Sequence, residues 1–158
     1  MGAMAIEDPA WLERASPEVK AIYRYWVLKH QGDRLPRRAD IDPLEFPRLL
    51  PHITIVEVVP DERRYVYRLV GTKDVEVRGQ DPTGKSVLEG FFGPSVEDAL
   101  HCYDTVVKTQ QPHYDDEPYV TLDRRYSDDE TLFLPLSDDG ETVNRILVFA
   151  TVTPLKKR

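Results

Sequence analysis

The order of the predicted strands and helices restricts the fold of this chain more than any other feature of the sequence. Two β-branched or alternating runs follow one another closely, a helix-rich segment comes next, and three further strand-like runs close the chain. Strands joined by short turns pair antiparallel, whereas a parallel sheet needs a crossover helix between strands. The sequence therefore predicts an α+β fold with a five-stranded antiparallel sheet and helices on one face. The predicted strands cover residues 53–59, 64–70, 113–123, 126–136 and 143–153.

An amphipathic helix precedes the predicted sheet. Ser16 is a suitable N-cap, Pro17 fits the first helical turn, and Gly32 is placed to end the helix. The apolar residues recur at helical spacing and must cover either the rest of the chain or a second copy of it. The candidates for a dimer interface on this stripe are Ile22, Tyr23 and Trp26.

Size and composition indicate one domain with a core of its own. The chain has 158 residues, of which 41% are hydrophobic and 31% charged. The net charge of −7 lies wholly in residues 80–158, which carry 8 basic and 15 acidic side chains. An acidic surface repels phosphate backbones, so we expect no nucleic-acid partner.

The sequence also predicts a cytoplasmic location. No apolar run approaches the roughly 20 residues that span a bilayer, so no membrane partner is expected. The N-terminus lacks the apolar core of a secretory signal. Cys102 is the only cysteine, which excludes an internal disulfide.

Residues 79–86, GQDPTGKS, match the phosphate-loop pattern G-x-x-x-x-G-K-[ST]. A functional loop of this kind follows a buried parallel strand and opens a long helix whose amides bind the phosphates. Here the preceding segment is short and charged, and Gly90 and Gly93-Pro94 interrupt the following one. Nucleotide hydrolysis is therefore disfavoured, and the glycines are predicted to mark turns between short helices.

Four motifs in this order are similar to those of one bacterial family of PAS domains, and the resemblance covers about residues 16–154. The motifs are Tyr25-Trp26 in the first helix, the prolyl stretch Leu35–Ile53, the strand end Tyr67–Thr72, and a segment with Gly79, Asp81, Thr83 and Gly84. The resemblance implies a sheet that cups a pocket beneath a helical insert. It divides the chain into a flexible tail over 1–15, an N-terminal helix over 16–32, a PAS domain over 33–154 and a basic tail over 155–158.

The resemblance also implies a function. PAS domains sense small molecules, redox state or light, or serve as protein-binding and dimerisation modules. We therefore expect a sensory or regulatory module rather than an enzyme, acting in trans on an unidentified protein partner, as a homodimer, and gated by a small ligand. The candidates for lining the ligand pocket are Tyr67, Leu69, Phe91, Phe92, Tyr103, Val107, Tyr119, Leu134 and Val148.

The sequence names no cofactor, and it disfavours haem and a photoactive flavin. Haem-binding PAS domains commonly use a histidine on the long helix, but His101 falls on the polar side of that predicted helix, with Glu97 and Lys108. Light-sensing PAS domains have an Asn-Cys-Arg motif in the helical insert, whereas Cys102 lies on the long helix and the chain lacks the motif. The four histidines are scattered, so no metal site is predicted.

The alternative is a small enzyme in a cone-shaped α+β fold, in which an acid such as Asp104 or Asp116 acts as a base. A buried acid with a strongly raised pKa would favour the enzyme. An apolar cavity without acids would favour the sensory module.

Overall fold

A single antiparallel sheet organises the computed structural model, which describes residues 7–156. The strand order is β2–β1–β6–β5–β3, and β4 also pairs with β5. The predicted α+β class and PAS-like sheet are confirmed. The strands are β1 (Ile53–Val58), β2 (Tyr65–Val70), β3 (His113–Asp115), β4 (Tyr119–Val120), β5 (Tyr126–Leu136) and β6 (Arg145–Pro154), and the helices are α1 (Pro17–Leu28), α2 (Thr72–Arg78), α3 (Val87–Gly90) and α4 (Val96–Thr109).

The predicted strand over 113–123 is two short strands, β3 and β4, which both pair with β5. The break follows from Asp115 and Pro118. The Asp115 carboxylate accepts a 2.9 Å hydrogen bond from the Glu117 amide, which closes a turn. Pro118 has no N–H to donate to a ladder.

The sheet separates two hydrophobic layers, and α1 covers one of them. Ser16 caps α1 as predicted, since its Oγ accepts a 3.2 Å hydrogen bond from the Val19 amide. Trp26 donates from Nε1 to the Pro135 carbonyl of β5 at 2.9 Å. The layer under α1 includes Ile53, Ile55, Leu132, Leu134, Leu147 and Phe149.

The prediction that Ile22, Tyr23 and Trp26 form a dimer interface is wrong. These side chains are 1%, 3% and 3% exposed, because they pack on the chain's own sheet. The apolar stripe of α1 is therefore used inside one molecule. Of the two partners that the sequence left open, α1 covers its own domain.

The other face of the sheet carries α2, α3 and α4. Ala99, Cys102, Tyr103 and Val106 of α4 are buried on this side. Each of the short helices α2 and α3 is joined to its neighbours by tight turns. This side of the sheet contains the cavity described below.

Two β-bulges change which face of the sheet a side chain reaches. In the β1–β2 pair, Val56 pairs with Tyr67 and Ile55 with Leu69, so Arg68 is an extra residue. Tyr67 therefore faces α4, while Leu69 packs in the layer under α1. Simple alternation along the strand would place Tyr67 and Leu69 on the same face. That expectation is wrong, because the bulge shifts the two-residue period of the strand.

Part of the predicted flexible tail is folded. Ala10–Arg14 forms a 3-10 turn in which Leu12 is buried, and the Trp11 ring stacks on Tyr114 at 4.8 Å between centroids. Residues 1–6 of that tail, and residues 157–158 of the basic tail, lie outside the described residues. Between residues 7 and 156, no helix is long and apolar enough to cross a membrane.

Candidate ligand-binding cavity

A cavity of about 570 Å³ lies between the sheet and helices α2 and α4. Its floor comes from three adjacent strands, where Val148 of β6 pairs with Thr54 of β1 on one side and with Phe133 of β5 on the other. The volume falls in the range of sites that bind small organic molecules. The pocket candidates that line it are Tyr67, Phe91, Tyr103, Tyr119 and Val148.

The other four pocket candidates lie elsewhere. Leu69 and Leu134 pack on the α1 side of the sheet, Leu69 because of the bulge and Leu134 because it alternates with Phe133. Val107 packs against the core beside the cavity. Phe92 is half-exposed and does not contribute to the cavity wall.

One end of the cavity is defined by Asp74 and Arg78, which lie four residues apart on the same side of α2. Arg78 donates from Nη1 to the Gly90 carbonyl at 2.5 Å and from Nη2 to the Tyr67 hydroxyl at 3.4 Å. Its guanidinium also lies 4.8 Å from the centroid of the Tyr67 ring. Within the described chain, no carboxylate oxygen comes within 4.0 Å of this guanidinium, which lines the cavity. We call this group the Arg78 end.

Asp74 balances part of the charge of Arg78. Thr54 donates its hydroxyl to Asp74 Oδ2. Desolvation raises the pKa of Asp74, although the bond from Thr54 and the charge of Arg78 act in the opposite direction.

Asp128 defines a second polar group in the cavity wall. Its Oδ2 accepts a hydrogen bond from the Tyr119 hydroxyl at 2.9 Å, and its Oδ1 accepts one from the Thr131 hydroxyl at 2.9 Å. Asp128 is 7% exposed, and desolvation raises its pKa to about 7 despite these two donors. We call this group the Asp128 end.

The second bulge turns Asp128 into the cavity. In the β5–β6 pair, Asp128 pairs with Val152 and Glu130 with Thr151, which leaves Asp129 as the extra residue. Glu130 points to the α1 side, where it accepts a 2.6 Å hydrogen bond from the Tyr114 hydroxyl. Without the bulge, alternation would place Asp128 on that side too.

Tyr103 of α4 lies above the floor of the cavity. Its ring stacks on Tyr65 at 5.1 Å between centroids and meets Phe133 edge-on at 5.2 Å. The side chain is 5% exposed, and its hydroxyl has no hydrogen-bond partner among residues 7–156. Burial raises the pKa of Tyr103 well above its ordinary value, so the hydroxyl is a neutral donor.

The mouth of the cavity is acidic. Asp98, Asp115, Asp116 and Glu117 line it together with His101 and Cys102. His101 is exposed, as the sequence predicts. Desolvation, together with the charge of Asp115, raises the pKa of Cys102 to about 12, so its thiol stays protonated.

The acids proposed for an enzymatic base do not have the properties of one. Asp104 forms an ion pair with Arg64 and accepts a hydrogen bond from Tyr65; partial desolvation works against these bonds, yet the net pKa is lowered. The bond from Arg14 to Asp116, 2.7 Å long, lowers the pKa of that carboxyl. Both acids are ionised, partly exposed and already paired, so that assignment is wrong.

The cavity differs from the apolar, acid-free one that the sequence analysis associated with a sensory module. Asp74 and Asp128 both have raised pKa values inside it, which is the property that was expected of the enzyme alternative. Sequence reasoning missed Asp74, Arg78, Asp128 and Thr131. The four-residue spacing of Asp74 and Arg78 on a predicted helical turn was the available signal, whereas the bulge that turns Asp128 inward leaves none.

The phosphate-loop match has no phosphate-binding geometry. Gly84 donates its amide to the Tyr67 carbonyl at 2.8 Å, and Lys85 donates its amide to the Pro82 carbonyl at 2.9 Å. The helix that follows, α3, has only four residues. The Gly84 amide joins the turn to β2 and the Lys85 amide closes the turn itself, as expected for bends in the helical insert.

The family model of the PAS domain matches residues 14–150, most of the chain. The chain belongs to the PAS domain family. PAS domains are sensory modules rather than enzymes, and the cavity lies beneath the helices of the PAS insert. No curated protein matches the sequence.

Two solved PAS-type structures agree with this fold. A sensory box sensor histidine kinase from Vibrio cholerae is 18% identical, with a TM-score of 0.50, over 72% of this chain and 92% of the kinase chain. A fungal LOV domain photoreceptor is 13% identical, with a TM-score of 0.50, over 90% of this chain and 99% of the photoreceptor chain. At these identities the similarity concerns the fold.

Proposed function

We propose that this PAS domain is a ligand-gated sensory module that binds a small molecule in the cavity and acts in trans on another protein. The observation that supports ligand binding is the cavity itself, which combines aromatic walls with buried polar groups at both ends. A packing defect in an apolar core would have no reason to contain a guanidinium and two carboxyls, because burying charged groups costs free energy.

The arrangement also connects the cavity to two helices of the insert. Arg78 joins α2 to the end of α3 through the Gly90 carbonyl, and Tyr103 carries the contact to α4. A ligand that binds Arg78 and Tyr103 therefore contacts two helices of the insert at once. A change in their relative position would be visible on the outer surface, where a partner can bind.

Native mass spectrometry of the purified full chain tests this proposal. We expect a mass above that of the polypeptide, from a small molecule that is released on denaturation. The Ala150→Leu variant adds volume to the cavity floor and should reduce the occupied fraction, whereas Leu28→Ala, at a side chain 80% exposed, should not. Absence of any bound molecule, together with no thermal stabilisation by a metabolite library, would contradict ligand sensing.

Action in trans, a homodimer and a cytoplasmic location remain predictions. A homodimer would have to use a surface other than the buried stripe of α1. Sedimentation at several concentrations, with and without the retained molecule, measures whether ligand occupancy changes self-association.

A further inference from the structure

The two polar ends of the cavity offer opposite hydrogen-bonding groups across an apolar floor. Besides the carboxyl of Asp74, the Arg78 end has the guanidinium of Arg78 as a donor, and the nearby hydroxyl of Tyr103, which has no partner among residues 7–156, is a second donor. The Asp128 end offers acceptors, because each carboxylate oxygen has accepted one hydrogen bond and can accept a second.

Different strands of the sheet hold the two ends. Thr54 on β1 holds Asp74 of the Arg78 end, and Thr131 on β5 holds Asp128. Strand β6 lies between β1 and β5, so the two anchoring strands are two spacings apart, roughly 10 Å. Val148 and Ala150 of β6 form the apolar floor between them.

The walls favour a planar ligand. Aromatic rings surround the space above Val148 and Ala150 on several sides, and ring faces and edges pack well against a flat π-system. The rings belong to Tyr67, Phe91, Tyr103, Tyr119 and Phe133.

The charges disfavour a phosphorylated ligand. Six carboxyl groups line the cavity and its mouth, against one guanidinium. Four of the six, Asp98, Asp115, Asp116 and Glu117, lie at the mouth, where a phosphate extending from a bound ring would have to sit. Like charges at close range in a partly desolvated site are strongly unfavourable.

We infer that the ligand is an uncharged, planar nitrogen heterocycle of the oxopurine or pterin type, without a phosphate. Its carbonyl oxygen accepts hydrogen bonds at the Arg78 end, and its N–H groups donate to the Asp128 carboxylate. This inference rests on the proposed function, because it names the chemistry of the ligand that the sensory cavity binds.

Guanosine, adenosine and guanosine monophosphate form a matched set of probes. Guanosine has a carbonyl and a ring N–H donor, adenosine lacks both although it keeps an exocyclic amino group, and the monophosphate adds only the phosphate. Isothermal titration at pH 8 with the full chain should show guanosine binding at least about tenfold more tightly than either of the others. Guanosine binding no tighter than adenosine, or no tighter than the monophosphate, would overturn the inference.

Three variants assign the contacts. Tyr103→Phe removes a hydroxyl that bonds to no described residue, so we expect weaker guanosine binding, by about fivefold or more, with an unchanged melting temperature. Asp128→Asn should weaken guanosine by about tenfold or more, because the acceptor is lost. Asp98→Asn should leave guanosine binding unchanged and bring the monophosphate closer to it. If neither Tyr103→Phe nor Asp128→Asn weakens binding, guanosine does not use these groups and the inference fails.

The outcome separates this inference from the proposed function. If native mass spectrometry releases an aliphatic or phosphorylated molecule, ligand sensing stands and the inferred chemistry is wrong. If no molecule binds at all, both are wrong.

Discussion

The hydroxyl of Tyr119 donates a 2.9 Å hydrogen bond to Asp128 inside the cavity, at a carboxyl group that is only 7% exposed. Tyr119 and Asp128 are also paired in the ladder between β4 and β5. The side-chain hydrogen bond therefore links the two strands at the position where their backbones pair. Desolvation nevertheless raises the pKa of Asp128 to about 7. The cavity therefore changes its charge near neutral pH.

The first prediction concerns the pH dependence of stability. The pKa of Asp128 is raised from 3.8 to about 7 on folding. The folded state thus binds a proton that the unfolded state releases, so this contribution is complete below about pH 4 and is lost as pH rises towards 7. The full difference corresponds to at most about 4 kcal/mol. Urea unfolding between pH 4 and 8 should show wild type losing stability relative to Asp128→Asn over this window.

Asp129→Asn is the matched control for this measurement, because Asp129 is the adjacent bulge residue and bonds to Thr153 at the surface. It should follow the wild-type pH profile. A constant difference between wild type and Asp128→Asn across the window would show that Asp128 does not titrate there.

The inward direction of Asp128 shows where sequence reasoning reaches its limit. The strand over 126–136 is predicted with its observed bounds, but Leu134 and Val148, both predicted to line the pocket, lie on opposite faces of the sheet. Because Asp129 is an extra residue, the side chains before it lie on the face opposite to the one that alternation predicts. No residue type in this stretch indicates where the bulge occurs. Bulges are set by how two strands twist against each other, so they are fixed by pairing rather than by local sequence.

The second prediction concerns Gly71, where two of the family motifs meet. A Cβ at Gly71 would lie 2.2 Å from the Pro51 carbonyl oxygen, which is backbone and has no side-chain freedom to yield. This close approach brings the prolyl stretch against the strand end Tyr67–Thr72. Gly71→Ala should lower the free energy of unfolding by about 3 kcal/mol or more.

Gly79→Ala provides the comparison for Gly71. Gly79 has φ +77° and open space around its Cβ position, so only the left-handed backbone opposes alanine. That cost is about 1 kcal/mol. Equal losses for the two variants in urea unfolding would contradict the steric explanation.

The third prediction separates a core role of Trp26 from an interface role. Trp26 is 3% exposed and bonds to the Pro135 carbonyl at 2.9 Å, so Trp26→Ala should lower the free energy of unfolding by about 3–5 kcal/mol. Its sedimentation coefficient under native conditions should match that of wild type. Leu28→Ala, on an exposed part of the same helix, should cost less than about 0.5 kcal/mol. If Trp26→Ala kept wild-type stability but had a different molecular mass in sedimentation, the interface interpretation would be supported instead.

The amphipathic pattern of α1 predicted an apolar face but not its partner. Ile22 and Tyr23 would have the same spacing whether the helix covered its own sheet or another molecule. Which surface α1 covers depends on the apolar face of β5 and β6, where Leu134 and Leu147 pair across the ladder. Without a helix on this face, these side chains would be exposed to water. That information lies more than 100 residues away in the chain.

The fourth prediction concerns the phosphate-loop match, whose residues have structural roles. Ser86 caps α3, since its Oγ accepts a 3.2 Å hydrogen bond from the Glu89 amide, and its hydroxyl contacts the Glu89 carboxylate at 3.2 Å. Ser86→Ala should therefore cost about 1 kcal/mol of unfolding free energy. Lys85 is exposed, so Lys85→Ala should leave stability unchanged. Adding magnesium and ATP should not shift the melting temperature of the wild type or of either variant, because the amides at this turn are already bonded to the chain. Stabilisation of wild type by the nucleotide, lost in Lys85→Ala, would show instead that the turn binds phosphate.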